Sequence, residues 1–467
     1  MTTAMTTNTI TTNTITTNTI TLTLEEQHLF DFFLHVNQKY NLNVVFRVAG
    51  GWVRDKLLGK ESDDIDIALD TMTGKELGVF LKKEDDAHRY IKEEEGKEEG
   101  DLGHTKKRLK LHVIEQNHEQ SKHLEVVNIH IFGLDVDIVN LRTEEYADTR
   151  IPTVKFGTPL EDAMRRDLTI NSLFYNINTG KVEDFTKKGL TDLRLRQIQT
   201  PIDPTQTFLD DPLRILRAIR FSITLGFKLT SEIVTCVQTH PEIKQALVTK
   251  VTPERRLTEL RKMFRADGIR SLTILDHLGI FNVIFDVPLN PLALEEQSNN
   301  IQFYLAMIYG QERVKHSMTL KEILGKLNWL RVTNKEKTNV IYMIEFIRNV
   351  GDILNLNIDG KFTDHDRDFF IRMEIFKIRD PLLLDMIFSI WTLWDMDKST
   401  FEFIKQFKWI IGMKPLINGH EIQKMDSSFR GKKIKEVIQK CLDLQAVHRG
   451  IQKAELVLKL KDEFGLV

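Results

Sequence analysis

Cysteine is scarce: Cys236 and Cys441 are the only two in 467 residues. Two thiols so far apart exclude a disulfide scaffold and a zinc cluster, and they fit a reducing compartment. Long apolar runs are missing too. The nearest candidate, Leu382 to Trp394, is too short to cross a bilayer and carries Asp385. Neither sign of charge prevails, since 65 Lys and Arg stand against 67 Asp and Glu for a formal net charge of -2. A polyanionic partner would therefore have to meet a local basic surface. With 24 Gly and 11 Pro the chain is neither collagen-like nor wholly disordered. The 41% of hydrophobic residues is enough for real cores, and the length suggests about three domains. These features describe a soluble, intracellular, multi-domain globular protein.

Residues 1–23 form a Thr/Asn/Ile tract in which TTNTI repeats, without charge before Glu25. It reads as a disordered tail. It lacks acidic residues, as a mitochondrial presequence does, but it also lacks arginine. LEEQHLFDFFLHVNQKY, Leu24 to Tyr40, has the spacing of an amphipathic helix. NVVFRVAGG predicts a short strand entering a glycine turn, WVRDKLLG the helix after it, and DDIDIALD a half-buried strand. Lys82 to Arg108 is a mixed-charge stretch that reads as a solvated helix or insertion. HLEVVNIHI, LDVDIVNL, SLFYNI and VEDF continue the strand pattern. After about Leu190 helical spacing takes over to the end, with no fixed-period repeat.

Three constellations carry chemistry. In the first, Gly50 and Gly51 open a helix that bears Arg54, and Asp64 and Asp66 follow on a strand. A glycine pair lets the backbone approach a polyphosphate, and an arginine one turn along can reach the same anion. Carboxylates two apart on a strand share a face and supply the hard oxygens that Mg²⁺ prefers. Singly, such motifs are usually only turns and solvated faces; their order and closeness strengthen the reading. A third carboxylate would come from Leu134 to Val139, where Asp135 and Asp137 share one face and spacing does not choose between them. The second constellation is Arg165-Arg166-Asp167-Leu168-Thr169-Ile170-Asn171, able to hold ribose hydroxyls and a triphosphate or, taken alone, to make a cap and surface ion pairs. In the third, Asp211 is placed to cap a helix with Pro212 first inside it, and Arg214, Arg217 and Arg220 recur along one side. An i, i+3 pairing of Asp211 with Arg214 is the bland alternative.

These residues resemble the tRNA nucleotidyltransferases that add CCA, of the bacterial and eukaryotic class, and the related bacterial poly(A) polymerases. The likeness runs from about Phe46 to Phe221 and more loosely beyond. It rests on GGWVRDKLLG…DDIDI, SKHLEVVNIHIFGLDVDIVNLRTEEY, FGTPLEDAMRRDLTINSLFYNI, VEDFTKKGLTDL and TFLDDPLRILRAIRF. The wording of SKHLE and VNLRTEEYA is that of the eukaryotic branch.

The resemblance implies an α+β nucleotidyltransferase (polymerase β-like) head over 24–185, a helical neck with a nucleotide-template helix over 186–285, and an all-α body and tail over 286–467 that binds tRNA. It implies Mg²⁺ on Asp64 and Asp66, and Asp137 is the candidate third carboxylate. Phosphate and ribose contacts fall to Gly50, Gly51, Arg54, Arg166 and Asp167. Asp211 and Arg214 become the pair that reads the incoming base, with Arg217 and Arg220 as further nucleotide contacts. Asp184, Gly189 and Asp192 match a head–neck hinge. In Glu254 to Leu260 the chain departs from the pattern, with Arg256 where an apolar residue is usual.

The implied activity is CCA addition to the tRNA 3′ end from CTP and ATP, with pyrophosphate released. The expected location is cytoplasmic, with nuclear or mitochondrial placement open, and no membrane or obligate protein partner is implied. A CC-adding, A-adding or poly(A)-polymerising sibling shares the metal site and the nucleotide helix, whereas an inactive tRNA-binding protein would be expected to have lost some of these residues. Thr363-Asp364-His365-Asp366 holds an HD dipeptide without the further partners that a metal phosphohydrolase needs, and reads as a polar helix start. Basic residues gather in Phe429 to Lys435 and Arg449 to Lys461, suited to gripping tRNA phosphates.

Overall fold

The structure is a computed structural model that describes residues 19–62, 64–94, 110–114, 126–145, 153–289, 298–315, 318–358, 381–393 and 413–465, with scattered residues between 371 and 411. Most of the Thr/Asn tract, the later part of the charged stretch, SKHLE and the HD dipeptide lie outside the described residues. The chain divides into two compact units, Met1–Glu259 and Leu260–Val467.

The first unit begins with α1 (Leu24–Lys39), started by a capping box in which Thr23 and Glu26 satisfy each other's backbone N–H groups. Glu26 is buried and has a second task. It accepts from Trp52 Nε1 at 2.8 Å and pairs with Lys56 Nζ at 3.0 Å, so α1 braces α2 (Gly51–Leu57). Phe33 of α1 meets Phe46 edge to face at 5.3 Å, beneath β1 (Arg47–Ala49).

Next come β2 (Ile65–Leu69), α3 (Gly74–Glu94), β3 (Lys110–Ile114), β4 (Val126–Ile131), β5 (Leu134–Asn140), β6 (Arg142–Glu145), β7 (Thr153–Phe156), α4 (Pro159–Met164), β8 (Phe174–Asn176) and β9 (Lys181–Glu183). A seven-stranded sheet has the order β3-β4-β5-β2-β1-β8-β9. Only the β2–β5 pair within it is parallel. β6 and β7 make a separate antiparallel ribbon.

Helices follow as the spacing predicts: α5 (Gly189–Leu195), α6 (Pro204–Asp210), α7 (Leu213–Leu225), α8 (Ser231–Thr239), α9 (Pro241–Thr249) and α10 (Pro253–His277). Between them lies a parallel pair, β10 (Gln197–Ile198) with β11 (Lys228–Leu229), too short to leave a pattern in the sequence. The helices α5 to α9 belong to the same compact unit as the sheet.

The start of α5 packs directly on the turn at Thr169. A Cβ on Gly189 would stand 2.6 Å from the Thr169 carbonyl oxygen, and Thr169 Oγ1 donates to Asp192 at 2.7 Å. Asp184 accepts from the Leu190 N–H at 3.0 Å. All three residues of the expected hinge thus serve this docking.

The second unit is helical: α11 (Phe281–Phe285), α12 (Ile301–Lys315), α13 (Leu320–Trp329), α14 (Asn334–Ile358), α15 (Pro381–Leu393), α16 (Gly419–Met425), α17 (Lys432–Val447) and α18 (Lys453–Glu463). Its last three helices share a core that includes Ile422, Val437, Cys441, Leu456 and Leu460. No helix among the described residues is long and apolar enough to cross a membrane.

Arg256, unusual against the resembled pattern, has a clear structural task. Its side chain is buried, and Nη1 donates to the carbonyl oxygens of Leu247, Val248 and Val251 at 3.1, 2.8 and 3.0 Å. A guanidinium thus closes the C-terminal end of α9, where carbonyls lack helical partners. Replacing Arg256 by Ala leaves these acceptors unpaired and should destabilise the first unit by on the order of 2–4 kcal/mol. Urea unfolding followed by circular dichroism measures it, and an unchanged midpoint would refute the assignment.

Candidate active site

β1 ends in Gly50, whose φ of +74° is one that few side chains tolerate. A Cβ there would also stand 2.7 Å from Nη1 of Arg166. The Gly50 N–H is spent on the Leu173 carbonyl at 3.0 Å, so this glycine contributes conformation and room rather than a free donor. Gly51 opens α2, which carries Arg54 inward. Arg54 donates to Asn171 Oδ1 at 2.5 Å and grips Asp55 through Nε and Nη2 at 2.9 and 2.7 Å. Arg166 reaches the same turn from the other side, donating to the Asn171 carbonyl oxygen at 3.1 Å.

Register brings the carboxylates together. Asp66 on β2 lies beside Asp137 on the parallel neighbour β5. Asp135 goes instead to His130, at 2.7 Å, with its side chain 75% exposed. Of the two aspartates that spacing left open, Asp137 is the one beside Asp66, and it accepts from Asn128 Nδ2 at 2.9 Å.

Neither Asp64 nor Asp66 has a hydrogen-bond or ion-pair partner among the described residues. Asp66 keeps an open side on the sheet face, yet the protein around it displaces enough water to push its carboxyl up to about 6. Arg166 opposes the rise, and Asp137 and Asp64 add to it. Crowded, unneutralised carboxylates of this kind suit a hard cation. No three His, Cys, Asp or Glu side chains among the described residues already stand as a closed metal site. A magnesium site built from one or two carboxylates and substrate phosphates does not require one.

Two other carboxylates titrate in the opposite direction. Asp162 is buried, and burial alone would raise its carboxyl, but Arg166 and Arg165 outweigh this and hold it below the usual range. Asp167 behaves alike: burial raises it, and Arg217 with Asn171 and Arg214 more than compensates. Its oxygens accept from Leu168 N–H, Asn171 Nδ2 and Arg217 Nε at 2.8, 3.0 and 2.7 Å. Asp167 therefore ties the turn to α7, and its oxygens are already engaged where the resemblance implies a ribose contact.

On α7 the cap lies one residue later than expected, with Pro212 at the N-cap. Asp211 still accepts from the Leu213 N–H at 3.2 Å. Its other oxygen pairs with Arg255 at 3.3 Å, so the i, i+3 pairing with Arg214 is not what forms. Arg214 is buried and donates to the Arg165 carbonyl oxygen at 2.7 Å. Arg217 goes to Asp167, and Arg220 to Glu259 at 2.5 Å. Asp162, Arg255 and Glu259 were absent from the sequence-level site. Asp162 sits in the helix of the RRD motif, i–4 from Arg166, and that spacing alone could have flagged it.

Asp162→Asn should cost roughly 3 kcal/mol at neutral pH, because two guanidinium groups lose their counter-charge. The folded carboxyl titrates below the unfolded one, so its contribution is complete above the ordinary value of about 4 and fades as pH falls below it. Urea midpoints of the native and substituted chains should therefore converge in acid; a pH-independent gap would contradict the ion-pair assignment.

The model of the poly A polymerase head domain family matches residues 46–199. The mitochondrial CCA tRNA nucleotidyltransferase of Saccharomyces cerevisiae is 42% identical over 254 residues, covering 53% of this chain and 44% of that protein. A tRNA nucleotidyltransferase of Schizosaccharomyces pombe is 41% identical over 283 residues, 59% of this chain and 53% of its own. The chain thus spans about half the length of these relatives. The Bacillus stearothermophilus CCA-adding enzyme in complex with CTP has a TM-score of 0.62 at 16% identity, covering 95% of this chain and 98% of that one. At that identity the likeness is one of fold. Over residues 46–199 the chain is thus similar to the poly A polymerase head domain family, and over about half its length to the fungal CCA tRNA nucleotidyltransferases.

Proposed function

We propose that this protein adds CCA to the 3′ end of tRNA, using CTP and ATP with Mg²⁺ and releasing pyrophosphate. The observation that carries the reading is the register of Asp66 against Asp137, next to the Gly50 turn packed on Arg166. In this reading Asp64 and Asp66 hold the cation. When bound, Mg²⁺ supplies charge neutralisation at the phosphates. The Gly50–Gly51 turn leaves space for a polyphosphate, and Arg54 and Arg166 flank it. Asp137 stands where it can orient the tRNA 3′-hydroxyl, and catalysis is largely positioning. The sequence similarity to CCA tRNA nucleotidyltransferases supports the substrate class.

The base is read at the N-terminal end of α7. Cytosine and adenine each present an amino donor beside a ring-nitrogen acceptor, whereas uracil and guanine present a carbonyl beside an N–H. An Asp that only accepts and an Arg that only donates therefore suit C and A. Asp211 and Arg214 are that pair, and each is held by a neighbour, Asp211 by Arg255 and Arg214 by the Arg165 carbonyl. In the second unit, the lysines of α17 and α18 supply cationic surface for tRNA backbone. The location that fits this reading is cytoplasmic, with a mitochondrial pool suggested by the designation of the yeast relative.

The deciding experiment gives the purified chain a tRNA ending at its discriminator base, Mg²⁺, and CTP, ATP, UTP or GTP singly and in pairs. Two additions with CTP and a third that needs ATP and then stops are expected. Arrest after CC, extension only from a CC end, or run-on with ATP would assign a sibling polymerase; tRNA binding without incorporation would assign a binding protein. Asp211→Ala should relax the choice of nucleotide by roughly tenfold or more, read as UTP incorporation. Unchanged preference for CTP and ATP would refute the template pair.

A further inference from the structure

Phe221, near the middle of α7, is 8% exposed, and three guanidinium groups lie around its ring. The central carbon of Arg220 is 3.9 Å from the ring centroid, that of Arg54 4.8 Å, and that of Arg217 5.7 Å. Each of the three is also held by an oxygen acceptor. Arg220 has Glu259 at 2.5 Å, Arg54 has Asn171 at 2.5 Å, and Arg217 has Asp167 at 2.7 Å. One ring is thus the shared support of cations from α2 and α7, whose anchors stand on the turn after α4 and on α10.

Asp55, Asp167 and Glu259 each offset one of these charges, but an aliphatic side chain at the centre would do nothing to hold the three planes together. An aromatic face does, because its quadrupole attracts cations, most strongly where water is excluded. The oxygen partners fix one end of each guanidinium, and the ring fixes the tilt of its plane.

We propose that Phe221 is the positioning residue that aligns Arg54, Arg217 and Arg220 as a single set for gripping the nucleotide triphosphate. The inference rests on the nucleotide-binding reading given above. It has a consequence that base-reading residues do not share. CTP and ATP carry the same triphosphate, so losing the ring must weaken both equally and leave the choice of base alone.

The test uses the full chain with Phe221→Leu and Phe221→Tyr, and measures equilibrium binding of CTP, ATP and UTP together with steady-state tRNA extension. Phe221→Leu should weaken CTP and ATP binding alike, by about tenfold, with KM for tRNA and kcat changed less than about twofold and UTP still rejected. Phe221→Tyr, which keeps the π face, should restore binding. Should the Leu variant prove unfolded by its urea transition, successive ring fluorination at position 221 replaces it. Fluorine empties the π face at nearly constant shape, and CTP affinity should fall with each fluorine added.

Native affinity in the Leu variant, loss confined to one base, failure of Tyr to restore binding, or indifference to fluorination would each overturn the proposal. A native chain that binds CTP but never extends tRNA would overturn the proposed function and leave the ring tested by binding alone. A native chain that binds no nucleotide would overturn both.

Discussion

The Asp167 carboxylate is the fixed point of the first compact unit. Buried and fully engaged, it accepts from Leu168 and Asn171 within its own turn and from Arg217 on α7. Asn171 in turn holds Arg54 through its side chain and Arg166 through its carbonyl. The orientation of Arg54 and Arg166, which Asp55 and Asp162 also hold, is thereby linked to the Asp167–Arg217 ion pair that places α7. Such a pair costs desolvation on both sides and is tolerated only where the remaining lone pairs find donors, as they do here.

Three aspartates within this region show how environment divides one residue type into two tasks. Asp162 and Asp167 stay ionised because guanidinium groups surround them, and they hold structure. Asp66 is cut off from water by the surrounding protein and lies beside Asp137 and Asp64, so its proton is held more tightly than usual. A site that raises a carboxyl with like charge gains most from a cation. The arginines are divided in the same way. Arg256 and Arg165 close backbone carbonyls, while Arg54, Arg217 and Arg220 converge on the ring of Phe221.

Much of this was legible beforehand. The helix Leu24–Lys39, the strand–turn–helix at Gly50, the strands carrying Asp66 and Asp137, and α7 follow local periodicity and turn chemistry, which depend on neighbours in sequence. The short pair β10–β11 was missed because two residues carry no period. Asp162, Arg255 and Glu259 were missed because single charged residues on helices look alike whether solvated or paired.

The sequence by itself determined the kinds of groups present and their order: a glycine turn, an Asp-x-Asp strand, an RRD turn and an arginine-bearing helix. Backbone preference and spacing act over a few residues, and they sufficed for that. Tertiary structure alone decided which groups meet. Strand register set Asp137 beside Asp66 and left Asp135 to His130, and packing sent Asp211 to Arg255 rather than Arg214. It also engaged the oxygens of Asp167 in structure and drew Arg54 onto a ring 167 positions away, through contacts whose geometry no local pattern encodes.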